Sequence, residues 1–331
     1  GFKKIFKGKN INIPINKNIF QSSNKQYVNK FITIEKKKKS NLIEIHNRPI
    51  YLRYLTKDLN NRNYILYFHN DPLSMSGSSS IEDRSFLLKN SYRIIFNSNW
   101  SKKRFLEGMN SYAINSEKLI VIHQSASKNK INFKNKKNII TFVGKLNKSK
   151  GYDLFGKAVI KILNKYKNWK AIVAGDEPRD KINFKHPRLL MLGFKSHKNI
   201  IKLYKSSNIA VVCSRWDEPF GRTSLEAAAN GCAVIISNKG GLPETITNGV
   251  ILKKLTVQDI YDRIEQLIIN KKKRQDLQKL SYKNFYLTHS YVSNQIDLVR
   301  KSLINLNKPF LFYKEKKLRI LHITNFNERH N

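Results

Sequence analysis

The 331-residue sequence predicts an α/β protein made of two doubly wound units in tandem. Three observations predict this class. Segments with strand character alternate with helical segments, which is typical of parallel sheets connected by crossover helices. Most predicted strands are unbroken apolar runs, as expected for strands that are buried on both faces. A polar stretch rich in lysine and asparagine, 127–138, separates the two series and is the predicted linker.

The first series begins at residue 42, because the pattern of 2–39 is weak and indicates only short Ile/Phe strands before a basic run. Apolar runs then predict strands at 42–46, 64–68, 93–96 and 119–122, with helices at 50–59 and 81–90. We expect residues 1–126 to form an N-terminal domain. We expect this domain to be incomplete, because neither an initiating Met nor a signal peptide opens the chain.

The second series has a clearer rhythm and predicts a domain over 139–310. Its predicted strands are 139–143, 170–174, 189–192, 209–213 and 233–236. Its predicted helices are 153–167, 198–206, 223–230, 257–270 and 274–286, of which the last two are expected to close the domain. Residues 311–331 form a tail in which 318–325 has the pattern of a fresh buried strand, a candidate start of a further module.

The composition excludes several classes of protein. The net charge is +40, but lysine, asparagine and isoleucine are over-used together throughout, which indicates a compositional bias. A nucleic-acid groove would instead cluster its charge with aromatic side chains. No stretch approaches the ~18 apolar residues that span a bilayer. Cys213 and Cys232 lie in apolar runs, as buried thiols of a reducing compartment would, which excludes a disulfide scaffold.

The segment 217–231 is the first candidate site, because ligands of doubly wound sheets bind beyond the carboxyl ends of the strands. Glu218 lies in the loop and Glu226 about one turn inside the following helix, which Thr223 or Ser224 is expected to cap. Free amides near Gly221 suit a phosphate. Carboxylates beside an anion site suit the hydroxyls of a sugar or ribose. From spacing alone, it is an equally good interpretation that neither acid binds a ligand, Glu218 being an exposed loop acid and Glu226 a helix-face acid.

Two more loops follow strands of the second series. Gly144 ends one strand, and Lys145 and Lys150 lead into the next helix, where their charges suit a diphosphate. Gly240 and Gly241 follow another strand and allow close approach of the backbone, although a plain turn accounts for them equally well.

His46 and His69 each follow a strand of the first series. A lone histidine is more often structural, but two at strand ends are candidates for proton transfer or for hydrogen bonds to a sugar hydroxyl. The sequence has no Asp-x-Asp pair, no Cys/His cluster with zinc spacing, no P-loop and no Gly-x-Gly-x-x-Gly motif. We therefore expect no metal, and kinases, P-loop NTPases and dehydrogenases are disfavoured.

Five motifs occur in one order between residues 139 and 303: Val-Gly-Lys-Leu-x3-Lys-Gly, Ala-Gly-Asp-Glu-Pro, Leu-Gly-Phe, Glu-Pro-Phe-Gly-x4-Glu-Ala and Gly-Gly-Leu-Pro-Glu. In this order they resemble the retaining glycosyltransferases of family 4. The resemblance implies two Rossmann-like domains of the glycosyltransferase B-type fold and a metal-independent reaction. The first domain resembles the family only through His69 and the segment Asn97-Ser98-Trp100, with Asn99 between Ser98 and Trp100.

The resemblance also implies roles for residues around the donor. Lys145 and Lys150 match the basic pair that holds the donor diphosphate, near Gly144. Glu218 matches the acid that faces the hydroxyls of the donor sugar. Glu226 matches the acid that binds the nucleotide ribose.

Other matches are implied in the same way. Phe220 and Gly221 match the backbone segment near the sugar and phosphates, and Gly193 and Phe194 match the loop beside the nucleotide base. His69 matches the acceptor-domain histidine near the reacting sugar carbon, so that Glu218 and His69 are the predicted catalytic residues.

Three departures from the family pattern stand out. Lys145 replaces a frequent arginine and offers a point charge instead of a fork. Glu177 adds a negative charge to a loop usually written Gly-Asp-Gly-Pro. The Gly-rich loop that opens the family's N-terminal domain is not found before Leu42.

These features predict a cytoplasmic hexosyltransferase that moves a hexose from a nucleotide-diphosphate sugar to a glycan or lipid-linked acceptor with retention, in cell-envelope polysaccharide or lipopolysaccharide synthesis. The donor is a co-substrate, and no cofactor is expected. The basic first domain suits peripheral contact with an anionic inner-membrane surface. Three alternatives remain: a nucleotide-sugar epimerase of the same fold, a basic nucleic-acid-binding protein without catalysis, and a non-catalytic remnant.

Overall fold

The computed structural model describes residues 22–180, 182–305 and 320–323, which form two compact units. The first unit holds the described residues up to Ile95, with Arg104–Ile120 and Ile320–Ile323. The second holds Phe96–Lys103 and the described part of Val121–Leu311. Both are built on a sheet with connecting helices, which confirms the predicted α/β class.

The first unit contains a five-stranded sheet. Its strands are β1 (Leu42–His46), β2 (Asn63–Phe68), β3 (Arg93–Phe96), β4 (Leu119–Val121) and β11 (Ile320–Ile323). They are ordered β11-β1-β2-β3-β4, and both β11 and β2 run parallel to β1. The helices of this part of the chain are α1 (Ser23–Lys38), α2 (Ile50–Asp58), α3 (Ile81–Asn90), α4 (Asn99–Leu106) and α5 (Ser111–Ile114).

Helix α1 corrects the sequence prediction. The hydroxyl of Ser22 accepts a hydrogen bond from the Lys25 amide at 3.3 Å and caps the helix. Val28, Phe31 and Ile32 are buried, which is the i, i+3, i+4 stripe of an amphipathic helix. The prediction of short strands is therefore wrong from residue 23 to 38, and its part over 2–21 lies outside the described residues.

The predicted C-terminal strand is observed over Ile320–Ile323, where it extends the first sheet at β1. In this pairing, Glu44 of β1 stands beside His322 of β11. The remainder of the predicted tail, 311–319 and 324–331, lies outside the described residues.

The second unit contains a six-stranded parallel sheet. Its strands are β5 (Lys137–Val143), β6 (Lys170–Ala174), β7 (Leu189–Met191), β8 (Ser207–Val212), β9 (Ala233–Ile236) and β10 (Val250–Ile251), in the order β10-β9-β8-β5-β6-β7. The helices are α6 (Tyr152–Lys165), α7 (His197–Ser206), α8 (Arg222–Ala229), α9 (Val257–Ile269), α10 (Lys271–Asn284) and α11 (His289–Asn305). The strands predicted for both series are confirmed to within two residues, whereas α4, α5 and α11 were not predicted.

The apolar core of the second unit lies on both faces of its sheet. On one face, Phe155 and Val159 of α6 pack with Ile264 of α9. On the other face, Leu225 of α8 packs with Tyr204 of α7. No helix in the described part of the chain combines the length and the apolar character needed to cross a bilayer.

The residues predicted as a linker, 127–138, belong to the second unit. The ammonium group of Lys136 donates hydrogen bonds to the carbonyl oxygens of Tyr204, Ser207 and Asn230 at 2.7, 2.9 and 2.8 Å. Burial lowers the pKa of Lys136. The Lys136 side chain therefore ties this segment to the backbone of neighbouring elements of the second unit.

Both cysteines are buried and free. Burial raises the pKa of the Cys213 thiol to about 12. The thiol is therefore protonated and inert at neutral pH, which confirms the prediction of buried thiols.

Candidate functional site

The loops that follow β5, β6, β8 and β9 meet at the carboxyl end of the second sheet, and we call this group of loops the carboxyl edge. The backbone approach there is close. The Gly241 amide donates to the Glu218 carbonyl oxygen at 2.7 Å, and a Cβ on Gly240 would lie 2.2 Å from the same oxygen. Gly240 also has φ +58°, a conformation that favours glycine. The glycine pair therefore supports the loop that carries Glu218, and the plain-turn interpretation is insufficient.

Lys150 and Glu218 form an ion pair at the carboxyl edge. Their side chains are 31% and 13% exposed, so the pair is accessible but partly desolvated. Two residues that the sequence singled out from separate motifs, 68 positions apart, are thus in direct contact. This arrangement places one cation and one hydrogen-bond acceptor at a common point.

Lys145 and Lys150 are positioned by glycines with positive φ. The Gly144 amide donates to the Ala174 carbonyl oxygen at 3.0 Å, and a Cβ on Gly175 would lie 1.8 Å from the Gly144 carbonyl oxygen. Gly151, at φ +71°, directly precedes α6. It lies against the backbone of Cys213, the residue that follows β8. A side chain at either Gly151 or Gly175 would push these loops apart.

The extra acid of the carboxyl edge, Glu177, is neutralised locally. The guanidinium of Arg179 lies 2.7 Å from its carboxylate. This contact, aided by the charge of Lys145, lowers the pKa of Glu177 to about 2 although desolvation opposes the shift. The Asn147 amide also donates to the carboxylate at 3.5 Å. Glu177 is therefore ionised and paired at neutral pH, and it does not leave an isolated negative charge beside Lys145.

Glu226 is buried on α8 and holds two partners that sequence reasoning did not single out. Arg222 lies one helical turn earlier, with its guanidinium 3.0 Å from the carboxylate. The Nε2 atom of His197, at the start of α7, lies 3.2 Å from the same oxygen. Both partners are 58% exposed, whereas the Glu226 side chain is 8% exposed. The i, i+4 spacing was a signal for Arg222, but no local signal points to His197.

The start of α8 differs from the predicted cap. Gly221, at φ +111°, occupies the N-cap position, and no side chain accepts from the first amides. The Ser224 hydroxyl instead donates to the Gly221 carbonyl oxygen at 2.8 Å and lies 2.7 Å from the Thr245 hydroxyl. The prediction of a Thr223 or Ser224 cap is therefore wrong. The initial amides have no intrahelical acceptors, which leaves a favourable position for an anion.

Two aromatic residues of the predicted site have opposite surroundings. Phe220 is buried and stacks on His123, with ring centroids 5.2 Å apart. Phe194 is 68% exposed, and a Cβ on neighbouring Gly193 would meet nothing within 4 Å. Phe220 therefore stabilises its loop, whereas the Gly193–Phe194 loop presents an open apolar surface.

Glu244, the last residue of the Gly-Gly-Leu-Pro-Glu motif, has a role that sequence reasoning missed. Its carboxylate accepts hydrogen bonds from the amides of Asn99 and Trp100 at 2.7 and 3.0 Å, and His123 Nε2 lies 2.9 Å away. Burial alone would raise the pKa of Glu244, but the hydrogen bonds from His123 and the two amides lower it overall. Glu244 therefore fixes the start of α4, whose first residues themselves belong to the second unit.

In the first unit, His46 at the end of β1 and His69 directly after β2 come together. His46 Nδ1 lies 3.3 Å from His69 Nε2, and their rings are stacked with centroids 5.6 Å apart. The amide of His69 donates to the Asn47 side-chain oxygen at 3.1 Å, which orients the turn after β2. Burial lowers the pKa of His69 to about 4, so its imidazole is neutral at pH 7.

Comparison with known proteins finds a family likeness for most of the second unit. Residues 123–284 match the family model of glycosyl transferases group 1. This segment is therefore similar to the glycosyl transferases group 1. It contains the carboxyl edge with Lys150 and Glu218, and also Glu226, so the match covers these candidate residues.

Individual relatives are similar to part of the chain. The chain is 33% identical to an uncharacterized glycosyltransferase of Methanocaldococcus jannaschii over 166 residues, which are 44% of this chain and 42% of that protein. It is 33% identical to spore coat protein SA of Bacillus subtilis over 162 residues, 44% and 43% of the two chains. The matched segment thus spans less than half the length of these curated relatives.

Solved structures extend the similarity to both units of the fold. A glycosyltransferase from Rickettsia africae has a TM-score of 0.71 at 20% identity, covering 89% of this chain and 85% of that one. Anabaena Alr3699/HepE, solved in complex with UDP-glucose, has a TM-score of 0.65 at 18% identity, covering 83% and 82%. The predicted glycosyltransferase B-type fold is confirmed.

Proposed function

We propose that the protein transfers a hexose from a nucleotide-diphosphate sugar to a glycan or lipid-linked acceptor with retention of configuration. The observation that carries the proposal is the Lys150–Glu218 ion pair at the carboxyl edge of a group 1 domain. A lipopolysaccharide core mannosyltransferase of Rhizobium meliloti, 32% identical over 125 residues that are 34% of this chain and 35% of that protein, supports a place in envelope polysaccharide synthesis.

We place the donor diphosphate at the start of α8. Lys145 and Lys150 supply positive charge, and the amides that follow Gly221 supply hydrogen-bond donors. These groups stabilise the departing diphosphate without a metal. When the diphosphate binds, Lys150 shares its charge between Glu218 and a phosphate oxygen.

The two acids bind hydroxyls of the donor. Glu218 accepts hydrogen bonds from the sugar, and its loop is held by the Gly240–Gly241 backbone. Glu226 accepts from the ribose and is oriented by Arg222 and His197. The open Gly193–Phe194 loop provides an apolar surface for the base.

Our proposal of retention rests on the resemblance to the retaining glycosyltransferases of family 4. The acceptor oxygen attacks the anomeric carbon on the face of the leaving group, and the bond from that carbon to the phosphate oxygen breaks. The proton of the acceptor passes to a phosphate oxygen. His69 is assigned to the acceptor side, where it assists in positioning the attacking hydroxyl.

A thermal-shift panel of nucleotide-diphosphate sugars tests the donor site. A bound donor raises the melting temperature of the native state, and the shift identifies the sugar and base. We expect Lys150→Ala and Glu226→Ala to abolish the shift, and the matched control Lys161→Ala, on the exposed face of α6, to retain it. Release of the nucleoside diphosphate only when a glycan acceptor is present separates a transferase from an epimerase.

The net charge of +40 keeps nucleic-acid binding as the second candidate. It predicts steeply salt-dependent RNA binding that survives the substitutions of Lys150 and Glu226. A melting-temperature rise with RNA and none with any nucleotide sugar would overturn the transferase proposal.

A further inference from the structure

The first unit carries a second polar cluster, which the proposed donor site does not use. Side chains alternate along a strand, so Glu44 and His46 project from the same face of β1. Parallel pairing brings His322 of β11 beside Glu44, and Tyr67 of β2 beside His46. One face of the sheet therefore presents a carboxylate, two imidazoles and a phenol at adjacent positions.

Three of these side chains converge on one point. His322 Nδ1 lies 2.9 Å from Glu44 Oε2 and 3.1 Å from His46 Nε2. All three atoms lie within 4.8 Å of one another. A proton on His322 Nδ1 points at only one of its two neighbours, whereas a metal ion accepts electron pairs from all three atoms at once.

We propose that Glu44, His46 and His322 bind a Zn²⁺ ion. Two imidazole nitrogens and one carboxylate oxygen are a donor set that zinc uses when it keeps a fourth position open for water or another oxygen ligand. Tetrahedral bonds of ~2.1 Å separate neighbouring ligand atoms by roughly 3.4 Å, so the distances of 2.9 and 3.1 Å from His322 Nδ1 require an adjustment of about half an ångström or less.

The surroundings of the ligands support a built site. The Tyr67 hydroxyl donates to the other carboxylate oxygen, Glu44 Oε1, at 2.9 Å. The other ring nitrogen of His46 lies 3.3 Å from His69 Nε2. Outer hydrogen bonds of this kind fix the orientation of metal ligands. Glu44 is fully buried, whereas His46 and His322 are partly exposed, which gives an ion a path to the carboxylate.

The ion would join β1 to β11. His46 and His322 are separated by 276 positions, and each strand supplies at least one ligand. Zinc would thus fasten the C-terminal strand to the edge of the first sheet. This role is separate from the donor diphosphate, which we place on lysines and backbone amides of the second unit.

Metal titration of the full chain tests the site. After the protein is stripped with a chelator, freed of the chelator and titrated with Zn²⁺, we expect elemental analysis to find one Zn²⁺ per chain. Titration with Co²⁺ instead should give the intense visible absorption of a four-coordinate site. His322→Ala and Glu44→Gln should each weaken Zn²⁺ binding by at least about 100-fold, and Tyr67→Phe by about 10-fold. His186→Ala, in the second unit, is the matched histidine control and should bind zinc like the wild type.

Two results would overturn the proposal. One is a Co²⁺ spectrum of the wild type that shows only weak six-coordinate bands. The other is wild-type Zn²⁺ affinity in a folded His322→Ala or Glu44→Gln variant, each of which lacks one of the three ligands. Neither result bears on nucleotide-sugar binding, so this test and that of the donor site fail independently.

Discussion

The two units differ in the side chains that contact their carboxylates. At the carboxyl edge of the second unit, Glu177, Glu218 and Glu226 are each paired with the permanent positive charge of an arginine or lysine. In the middle of β1 in the first unit, Glu44 contacts an imidazole and a phenol. Permanent cations suit a diphosphate, whereas imidazoles suit a borderline metal ion. Similar α/β sheets can thus offer sites for different ligands, because the side chains placed on and after their strands differ.

The largest effect is expected from Lys150→Ala. Removing one group that stabilises developing charge lowers kcat by about 10²–10³-fold. The measurement is release of nucleoside diphosphate with the donor found in the thermal-shift panel. Lys161→Ala should keep the wild-type rate. Similar losses of kcat in both variants would mean that the overall positive charge of the protein, and not the ammonium group of Lys150, stabilises the departing diphosphate.

Gly240→Ala compared with Gly193→Ala separates close packing from backbone strain. Both glycines have similar positive φ values, +58° and +65°, so both substitutions incur about 1–2 kcal/mol of strain. Only at Gly240 would the new Cβ meet the Glu218 backbone, which adds about 1–3 kcal/mol. Denaturant unfolding should rank Gly240→Ala as the less stable variant. Equal free energies of unfolding would show that the glycine does not support the Glu218 loop.

Glu244→Gln tests a carboxylate of the second unit that is held by backbone amides and by the imidazole of His123, with no permanent cation among its partners in the described part of the chain. We expect a loss of about 2 kcal/mol in the free energy of unfolding at pH 7. The pKa of Glu244 is lowered in the folded state, so its contribution is present above the ordinary value of about 4.5 and is lost as the pH falls through the folded value.

The difference between the wild type and Glu244→Gln should therefore narrow between pH 7 and about pH 3. Urea unfolding at both pH values measures it. A difference that stays constant with pH would show that the charge of Glu244 does not contribute to stability.

The smallest effect is expected from His197→Ala. Its imidazole is 58% exposed, and Arg222 still pairs with Glu226, so donor affinity should fall by less than about fivefold. Glu226→Ala should weaken donor binding by about 10–100-fold, because it removes the acceptor itself. Calorimetric titration compares the two variants. If His197→Ala proved the more severe, the imidazole would contact the donor directly.

Local patterns predicted most strands because their signal is short-range. The apolar runs of β6 and β9 have the observed limits, Lys170–Ala174 and Ala233–Ile236. Helix α1 was missed because four lysines at its end obscured the apolar stripe of Val28, Phe31 and Ile32. These three residues are recognised as one face of a helix only when their burial in the folded protein is known.

For the candidate site, the sequence motifs identified the lysines, the acids and the glycines of the carboxyl edge. They did not identify partners brought from elsewhere, such as His197 for Glu226 or the α4 amides for Glu244. Residue spacing also disfavoured any zinc site. His322 lies 276 positions from His46, and a spacing rule finds only ligands that are close along the chain.

The sequence by itself determined the α/β class, the order of most elements and the loops in which the functional residues lie, because periodicity and glycine placement act over a few residues. Only the tertiary structure decided which side chains meet. Strand pairing placed His322 beside Glu44, and the packing of glycine loops placed Lys150 against Glu218. Such contacts depend on the register of distant segments, and local sequence does not encode that register.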